Sequence, residues 1–169
     1  ITFSNNVVST FNILEAAAEL GMNKAVLASS EASYGIPWAV HPYSPDYVPI
    51  DEEHLQQPQE CYGLSKVVNE QTAEMFNRRT GMQIVGLRLA SILSPEDMGP
   101  FIRMVNEDLG KWKRILWSYI DVRDAASACR LAYEADGLGA EHFNIAADDT
   151  CSGVETAELL RAYYPDVAD

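Results

Sequence analysis

Apolar side chains recur at helical spacing over the first twenty positions of the chain. The positions that fall on one face are Val7, Phe11, Leu14 and Ala18. This period predicts a helix over residues 5–20, because residues three and four apart share a helix face. Asn5 or Asn6 is predicted to cap its start, and Gly21 to end it.

Nearly continuous apolar runs follow, as expected of parallel strands that are covered on both faces. They occupy 24–29, 82–90, 114–120 and 141–146. Helical periodicity is predicted between them at 62–79, 122–135 and 154–164. Gly81 should close the first of these helices, and Asp121 should cap the second, with Asp124 in its first turn. The alternation predicts an α/β fold with a mainly parallel sheet.

Two segments lack a clear period. Residues 31–60 are rich in proline, tyrosine and acids, and a loop of this length in a compact domain is usually functional or disordered. Residues 95–110 are predicted to form a loop that leads into a short helix. We expect Trp112 and Trp117 to pack a small C-terminal lobe, and His142 to be a strand residue.

Composition excludes several classes of partner. The 169 residues carry 12 basic and 25 acidic side chains, a net charge of -13, which disfavours nucleic acid and anionic membrane surfaces. Three scattered cysteines form no CxxC pair, so neither a zinc site nor a disulfide framework is expected. The composition is typical of a reduced, cytoplasmic protein. The absence of any apolar run of ~18 residues predicts no membrane span.

Tyr62 and Lys66 stand four apart, so they project from the same face of the predicted helix. A nearby ammonium electrostatically favours the phenolate form of a tyrosine, which makes such a pair a sensible general acid/base unit. Pairs at this spacing are also common on ordinary helix surfaces, so spacing alone leaves both interpretations open. Ser29 and Ser30 end the strand at 24–29, at the sheet edge where ligands bind in open α/β folds.

The segments "SSEASYG" at 29–35 and "YGLSK" at 62–66 resemble the extended short-chain dehydrogenase/reductase family, the NAD-dependent epimerase/dehydratase group. "NNVVSTFNILEAA", "GMQIVGLRLASI", "YIDVRDAASA" and "EHFNIAADDT" resemble further family segments in the same order. The resemblance implies a Rossmann-like doubly wound parallel sheet with a small C-terminal substrate lobe. It also implies residues 1–94 in the nucleotide-binding domain and 95–169 mainly in the lobe, with 114–135 returning to the first domain.

The resemblance also implies roles for individual residues. Tyr62 would be the acid/base, Lys66 would bind the nicotinamide ribose, and Ser30 would orient the substrate oxygen. Cofactor contacts are implied for Ser29, Tyr62, Lys66 and Leu89, and substrate contacts for Ser30, Glu31, Ala90, Ser91 and Arg103. The cofactor would be NAD or NADP, and the residues that decide between them would lie outside the matching segments. A homodimer formed through helices that include the Tyr-Lys helix is a further implication.

The chain departs from the family pattern in ways that leave function partly open. It lacks the glycine-rich Gly-x-x-Gly-x-x-Gly phosphate loop, so we expect that this sequence is part of a longer protein. Ser91 replaces an asparagine that many nucleotide-sugar enzymes carry. The expected reaction is hydride transfer at a secondary alcohol of a sugar or nucleotide sugar.

Two alternatives remain. One is uronate-dehydrogenase-like oxidation of a free sugar acid, because Arg88 with Ser91, and Arg103 with Met104, fit that branch. An arginine could pair there with a sugar carboxylate, although Glu31 and Ala32 stand where that branch has Asn-His. The other alternative is a non-catalytic NAD(P)-sensing module.

Overall fold

A computed structural model describes residues 1–167 of the chain. The helices are α1 (Thr2–Glu19), α2 (Cys61–Thr80), α3 (Pro95–Glu107), α4 (Leu109–Trp112), α5 (Val122–Glu134) and α6 (Thr156–Tyr163). The strands are β1 (Lys24–Ser30), β2 (Gln83–Leu89), β3 (Ile92–Leu93), β4 (Ile120–Asp121) and β5 (His142–Ile145). Short 3-10 turns occupy Glu31–Tyr34 and Lys113–Ile115.

The main sheet has the order β1-β2-β5, and all its strands are parallel. One face is covered by α1 and α2, through an apolar cluster of Leu14, Ala17, Ala73, Phe76, Met82 and Ile84. The other face is covered by α5, which packs Ala132 against Val85 and Leu87 of β2. Burial on both faces explains why the strands are nearly continuous apolar runs. The predicted α/β fold with a parallel sheet is confirmed.

A second apolar cluster forms the small lobe around Trp117, which is fully buried. Its indole N–H donates to the Leu109 carbonyl at 3.0 Å, so the ring is anchored by a hydrogen bond as well as by packing. The predicted packing role of Trp117 is confirmed. Within the range predicted to be mainly lobe, β5 pairs with β2 and therefore belongs to the main sheet. The division into domains otherwise stays a prediction.

The prediction of a strand over 114–120 was wrong. A 3-10 turn ends at Ile115, and the next two residues, Leu116 and Trp117, have φ angles of 50° and 53°. Only Ile120 and Asp121 pair as a strand, with β3. The burial of Trp117 in the lobe outweighs the strand preference of this aromatic and β-branched run, because β propensity mainly reflects packing.

Two helix starts also differ from the predictions. Residues predicted to be a loop belong to α3, which begins directly after Ser94; the Ser94 side chain caps the backbone N–H of Asp97. Pro95 occupies the first turn, where proline is favoured, and Val105 is buried. In α1, Asn6 does not cap the helix. It lies inside the helix, and its side-chain amide donates to Ser65 Oγ on α2 at 2.9 Å.

The long segment after the first 3-10 turn is ordered by its own hydrogen bonds. Tyr43 Oη donates to the Tyr34 carbonyl at 2.8 Å, and the Gln57 backbone N–H donates to the same carbonyl at 3.1 Å. This segment therefore folds back over the carboxyl ends of the strands. In the part of the chain that is described, no helix combines the length and apolar character that crossing a membrane would need.

Candidate active site

The carboxyl ends of β1 and β2 meet at one edge of the sheet because Ser30 pairs in register with Leu89. Parallel pairing thereby brings the residues after each strand together, although they are far apart in sequence. Ser30, Glu31, Leu89, Ala90 and Ser91 all line one cavity of about 550 Å³ at this edge. Ligands bind at this edge in open α/β sheets.

The first turn of α2 carries Tyr62 to the wall of the same cavity. Glu60 caps this helix, and its carboxylate accepts hydrogen bonds from the backbone N–H groups of Tyr62 and Gly63. Gly63 is required here because a Cβ would collide with the carbonyl oxygen of Ala32. The helix start therefore lies directly against the 3-10 turn that follows Ser30, which fixes where Tyr62 stands.

Lys66 lies beside Tyr62, as the spacing predicted. Its Nζ is 5.3 Å from the centroid of the Tyr62 ring and donates to the Ala28 carbonyl at 2.7 Å. Burial lowers the pKa of Lys66, and the nearby Glu70 carboxylate acts in the opposite direction. The ammonium thus lies between the Ala28 carbonyl of β1 and the phenol ring of Tyr62.

Ser30 occupies the strand end opposite the start of α2. Its Oγ accepts the backbone N–H of Ala32 at 3.2 Å. This bond uses an oxygen lone pair and leaves the hydroxyl proton available to donate to a ligand. The structure therefore gathers Ser30 and Tyr62 on one cavity wall, with Lys66 behind the phenol.

Three predicted site residues do not line this cavity, and one of them is Lys66, which lies beside the Tyr62 ring. Ser29 is buried, and its Oγ donates to Glu70 at 2.5 Å instead of facing the cavity. Arg103 is exposed on α3 and lines neither this cavity nor the second one described below. Arg88, considered as a partner for a sugar carboxylate, makes its bidentate contact with a carboxylate of the protein itself.

That partner is Glu70, which the sequence interpretation missed. Arg88 Nη2 and Nε bind the two Glu70 oxygens at 2.9 and 3.1 Å, and both side chains are buried. Burial alone would raise the pKa of Glu70, but hydrogen bonds from Arg88 and Ser29 hold it below its ordinary value. The spacing places Glu70 on the same helix face as Lys66, but it does not indicate that Glu70 pairs with Arg88.

Glu31 is the other carboxyl of this region, and it lies between two cavities. Burial raises its pKa to about 7, with the hydrogen bond to Ser118 opposing this shift. The Ser118 hydroxyl oxygen lies 2.7 Å from both Glu31 Oε2 and the carbonyl oxygen of Ile115. One hydroxyl proton cannot serve two acceptors. A protonated Glu31 resolves this geometry, because it donates to Ser118, which then donates to Ile115.

A second cavity of about 580 Å³ adjoins the first and shares Glu31, Pro37, Ala90 and Ile115 with it. Its remaining walls come from the long loop, from the end of β5 and from α6, and most of their side chains are apolar. Trp117 contributes to this wall, whereas the half-buried Trp112 lines the first cavity. The two cavities therefore form adjacent chambers with Glu31 at their junction.

Comparisons with known proteins show which proteins the chain resembles in sequence and fold. A putative UDP-glucose 4-epimerase of Methanocaldococcus jannaschii is 39% identical over 88 residues, 52% of this chain and 26% of that protein. An L-arabinose 1-dehydrogenase (NAD(P)(+)) of Haloferax volcanii is 25% identical over 135 residues, 77% of this chain and 52% of that protein. A solved UDP-galactose 4-epimerase covers 94% of this chain with a TM-score of 0.66 and 27% identity.

The similarity covers only part of each of these proteins. The chain matches 52% of the solved epimerase chain and 26% of the archaeal relative. Residues 1–146 match the NAD dependent epimerase/dehydratase family, which includes both motifs that line the first cavity. The resemblance noted from "SSEASYG" and "YGLSK" is thus confirmed, and the chain belongs to the NAD-dependent epimerase/dehydratase family.

Proposed function

We propose that the intact protein is an NAD(P)-dependent enzyme that transfers hydride at a secondary alcohol of a sugar-like substrate. The observation that carries this proposal is the placement of Ser30 and Tyr62 on one cavity wall with the Lys66 ammonium 5.3 Å from the Tyr62 ring. On an ordinary helix surface, Tyr62 would not line a cavity of about 550 Å³ together with the strand-end residue Ser30. Membership of an NAD-dependent family supports the same conclusion.

In this proposal, each residue has a separate task. Ser30 donates its hydroxyl proton to the substrate oxygen and fixes that oxygen beside Tyr62. Tyr62 accepts the substrate hydroxyl proton at its phenolic oxygen as the carbonyl forms, and returns it in the reverse direction. The Lys66 charge stabilises the phenolate while the proton is absent. The walls around Leu89 and Ala90 exclude water from the reacting carbon.

The residues present fit the nicotinamide end of the cofactor. Lys66 has three N–H donors and uses one for the Ala28 carbonyl, so the others can reach ribose hydroxyls. Leu89 offers an apolar contact for the ring at the cavity wall. When bound, the nicotinamide supplies the hydride-transfer chemistry, while the protein supplies orientation and electrostatics. NAD and NADP both fit this part of the site.

Charge in the first cavity favours a neutral substrate over a sugar acid. Among residues 1–167, the ionisable side chains that line it are Glu31, Glu60 and Tyr62, so this lining includes no cationic group. Arg103, the predicted partner for a carboxylate, is exposed outside both cavities, and the guanidinium of Arg88 is occupied by Glu70. The L-arabinose 1-dehydrogenase relative supports a neutral sugar. A dehydrogenase and an epimerase would use the same proton-transfer residues.

The test compares Tyr62→Phe with Tyr133→Phe in the intact protein, with nicotinamide absorbance followed against a panel of neutral sugars. Tyr133 is exposed on α5, so its variant should keep wild-type turnover. Tyr62→Phe should lose at least about a hundredfold in kcat, the usual scale of acid/base catalysis, while cofactor affinity stays within about twofold.

The two alternative results have distinct meanings. Cofactor binding with no change in its redox state across the whole panel would favour the NAD(P)-sensing module. Full activity of Tyr62→Phe would refute the assigned acid/base role.

A further inference from the structure

We infer that the second cavity is a substrate subsite for an uncharged apolar substituent, so that the preferred substrate is a sugar-like alcohol bearing an aromatic or aliphatic group. This inference rests on the proposed function, because it places the reacting alcohol in the first cavity. The two cavities share four wall residues, so the subsite lies directly beside the cavity that holds the reacting alcohol.

The lining of the second cavity matches such a group. Ile50 of the long loop, Ile145 of β5 and Leu160 of α6 contribute apolar side chains from three separate segments. Concave, mainly apolar chambers with a few placed polar groups are typical small-molecule sites. The volume of about 580 Å³ exceeds what a ring or a short alkyl chain needs.

Two polar groups of the chamber, Arg88 and Asn144, are already committed to protein partners. Arg88 donates to both Glu70 oxygens, to Tyr34 Oη and to the Glu52 carbonyl. The Asn144 side chain accepts from Tyr34 Oη and donates to the Ile50 carbonyl. These groups therefore have little capacity left for a phosphate or a carboxylate. Arg114 also lines the chamber, but this residue is exposed to solvent.

Glu31 is the acidic residue that lines both chambers. The Ser118 hydroxyl oxygen lies 2.7 Å from Glu31 Oε2 and from the Ile115 carbonyl oxygen, and a proton on the Glu31 carboxyl gives both contacts a donor. With that proton on the carboxyl, the junction is uncharged, and the second carboxyl oxygen can accept a substrate hydroxyl. An anionic linker such as a diphosphate would be repelled by any ionised fraction of the same group.

The experiment uses methyl-labelled intact protein and follows the NMR signals of Ile145 and Leu160. Three probes are compared at equal concentration: benzyl alcohol, glycerol and UDP. Benzyl alcohol combines an alcohol with an aromatic group, glycerol lacks the apolar group, and UDP represents a charged nucleotide. We expect benzyl alcohol to shift both methyl signals with an affinity at least about tenfold tighter than either other probe, as burial of an apolar ring implies.

A matched pair of variants tests the location. Ala146 lies on the chamber wall and is exposed, so Ala146→Trp should fill the space and weaken benzyl alcohol binding about tenfold or more. Ala126 is exposed on α5 outside both cavities, so Ala126→Trp should leave binding unchanged. If Ala146→Trp does not fold, the methyl shifts of the wild-type protein alone test whether benzyl alcohol binds in the second cavity.

The possible results separate this inference from the proposed function. Unshifted Ile145 and Leu160 methyls in benzyl alcohol, or a stronger response to UDP, would overturn the subsite. Neither outcome changes what the Tyr62→Phe turnover test says about the proposed function. Conversely, methyl shifts with no sugar turnover would retain an apolar ligand site and remove the catalytic proposal on which its substrate assignment rests.

Discussion

Glu31 has a protonation state that follows from its neighbours. The Ser118 hydroxyl oxygen lies at 2.7 Å from two acceptors, and burial raises the pKa of Glu31 from 4.5 to about 7. Between these pH values the folded protein binds a proton that the unfolded chain releases. The free energy of unfolding should therefore fall as pH rises through this window, by as much as roughly 3 kcal/mol.

Glu31→Gln should remove this pH dependence, because the amide donates to Ser118 at every pH. We expect wild type and variant to have similar unfolding free energies near about pH 5, and the variant to be the more stable by roughly 2–3 kcal/mol near about pH 8. Urea denaturation at both pH values measures the difference. Glu107→Gln changes an exposed carboxyl and serves as the control. A difference in unfolding free energy between wild type and Glu31→Gln that is the same at both pH values would contradict the raised pKa of Glu31.

The buried pair of Glu70 and Arg88 should be costly to break. Both side chains are at most 7% exposed, so Glu70→Gln would leave a buried guanidinium without its counter-charge. We expect a loss of roughly 3–5 kcal/mol in the free energy of unfolding. Glu134→Gln breaks the exposed pair with Arg130 and should cost less than about 1 kcal/mol. Equal losses in the two variants, measured by denaturant titration, would refute this ranking.

At the scale of elements, the start of α2 depends on close contact with the 3-10 turn. Gly63→Ala would place a Cβ against the Ala32 carbonyl oxygen, and backbone cannot yield as a flexible side chain can. We expect a loss of roughly 1–3 kcal/mol, although alanine is the better helix former by about 1 kcal/mol. Because Tyr62 precedes Gly63, kcat should fall as well.

Gly110→Ala in α4 is the matched control. A Cβ there would have the ring edge of Tyr163 as its nearest neighbour, at an ordinary contact distance of 3.4 Å. Its free energy of unfolding should therefore stay within about 1 kcal/mol of wild type. The steric explanation for Gly63 fails if thermal and urea unfolding show that both variants behave alike.

Local sequence signals predicted the helices and strands whose buried side chains follow a simple period along the chain. Gly81 ends α2 with a φ of 75°, and Asp121 caps α5, as their positions in sequence indicated. The run at 114–120 was misassigned because Trp117 is held by the lobe, and such long-range packing has no local signature. The start of helix α3 was placed too late because Gly99 and Pro100 obscure a start that Ser94 and Pro95 define.

In the candidate site, too, local signals predicted the positions of some residues, whereas long-range contacts fixed others that the sequence did not reveal. Tyr62 and Lys66 could be predicted because four-residue spacing fixes a helix face, and Ser30 because strand ends of parallel sheets gather at one edge. The partnership of Arg88 with Glu70 depends on strand register against a helix, so spacing along the chain could not reveal it. The same holds for Glu31, whose state depends on Ser118, eighty-seven residues away.

At the scale of the whole molecule, the apolar surface of α1 calls for an explanation. Val8 and Phe11 lie three residues apart on one face of this helix and are 55% and 41% exposed. Phe11 also packs on Phe76 of α2, with ring centroids 5.4 Å apart, so this surface continues towards the helix that carries Tyr62 and Lys66. Contiguous exposed apolar surface of this kind is typical of interfaces.

We propose that this surface mediates a homodimer, as the family resemblance implied. Sedimentation velocity of the intact protein should give a dimer, and Val8→Lys should raise its dissociation constant at least about tenfold, because a buried unpaired charge opposes association. Leu131→Lys changes an equally exposed leucine on α5 and should leave the dimer intact. A monomeric wild type, or a Val8→Lys protein that associates as tightly as wild type, would exclude this face. Since α2 carries the proposed acid/base pair, a dimer formed here would also stabilise the position of Tyr62. Val8→Lys should therefore lower kcat only at concentrations where the dimer dissociates.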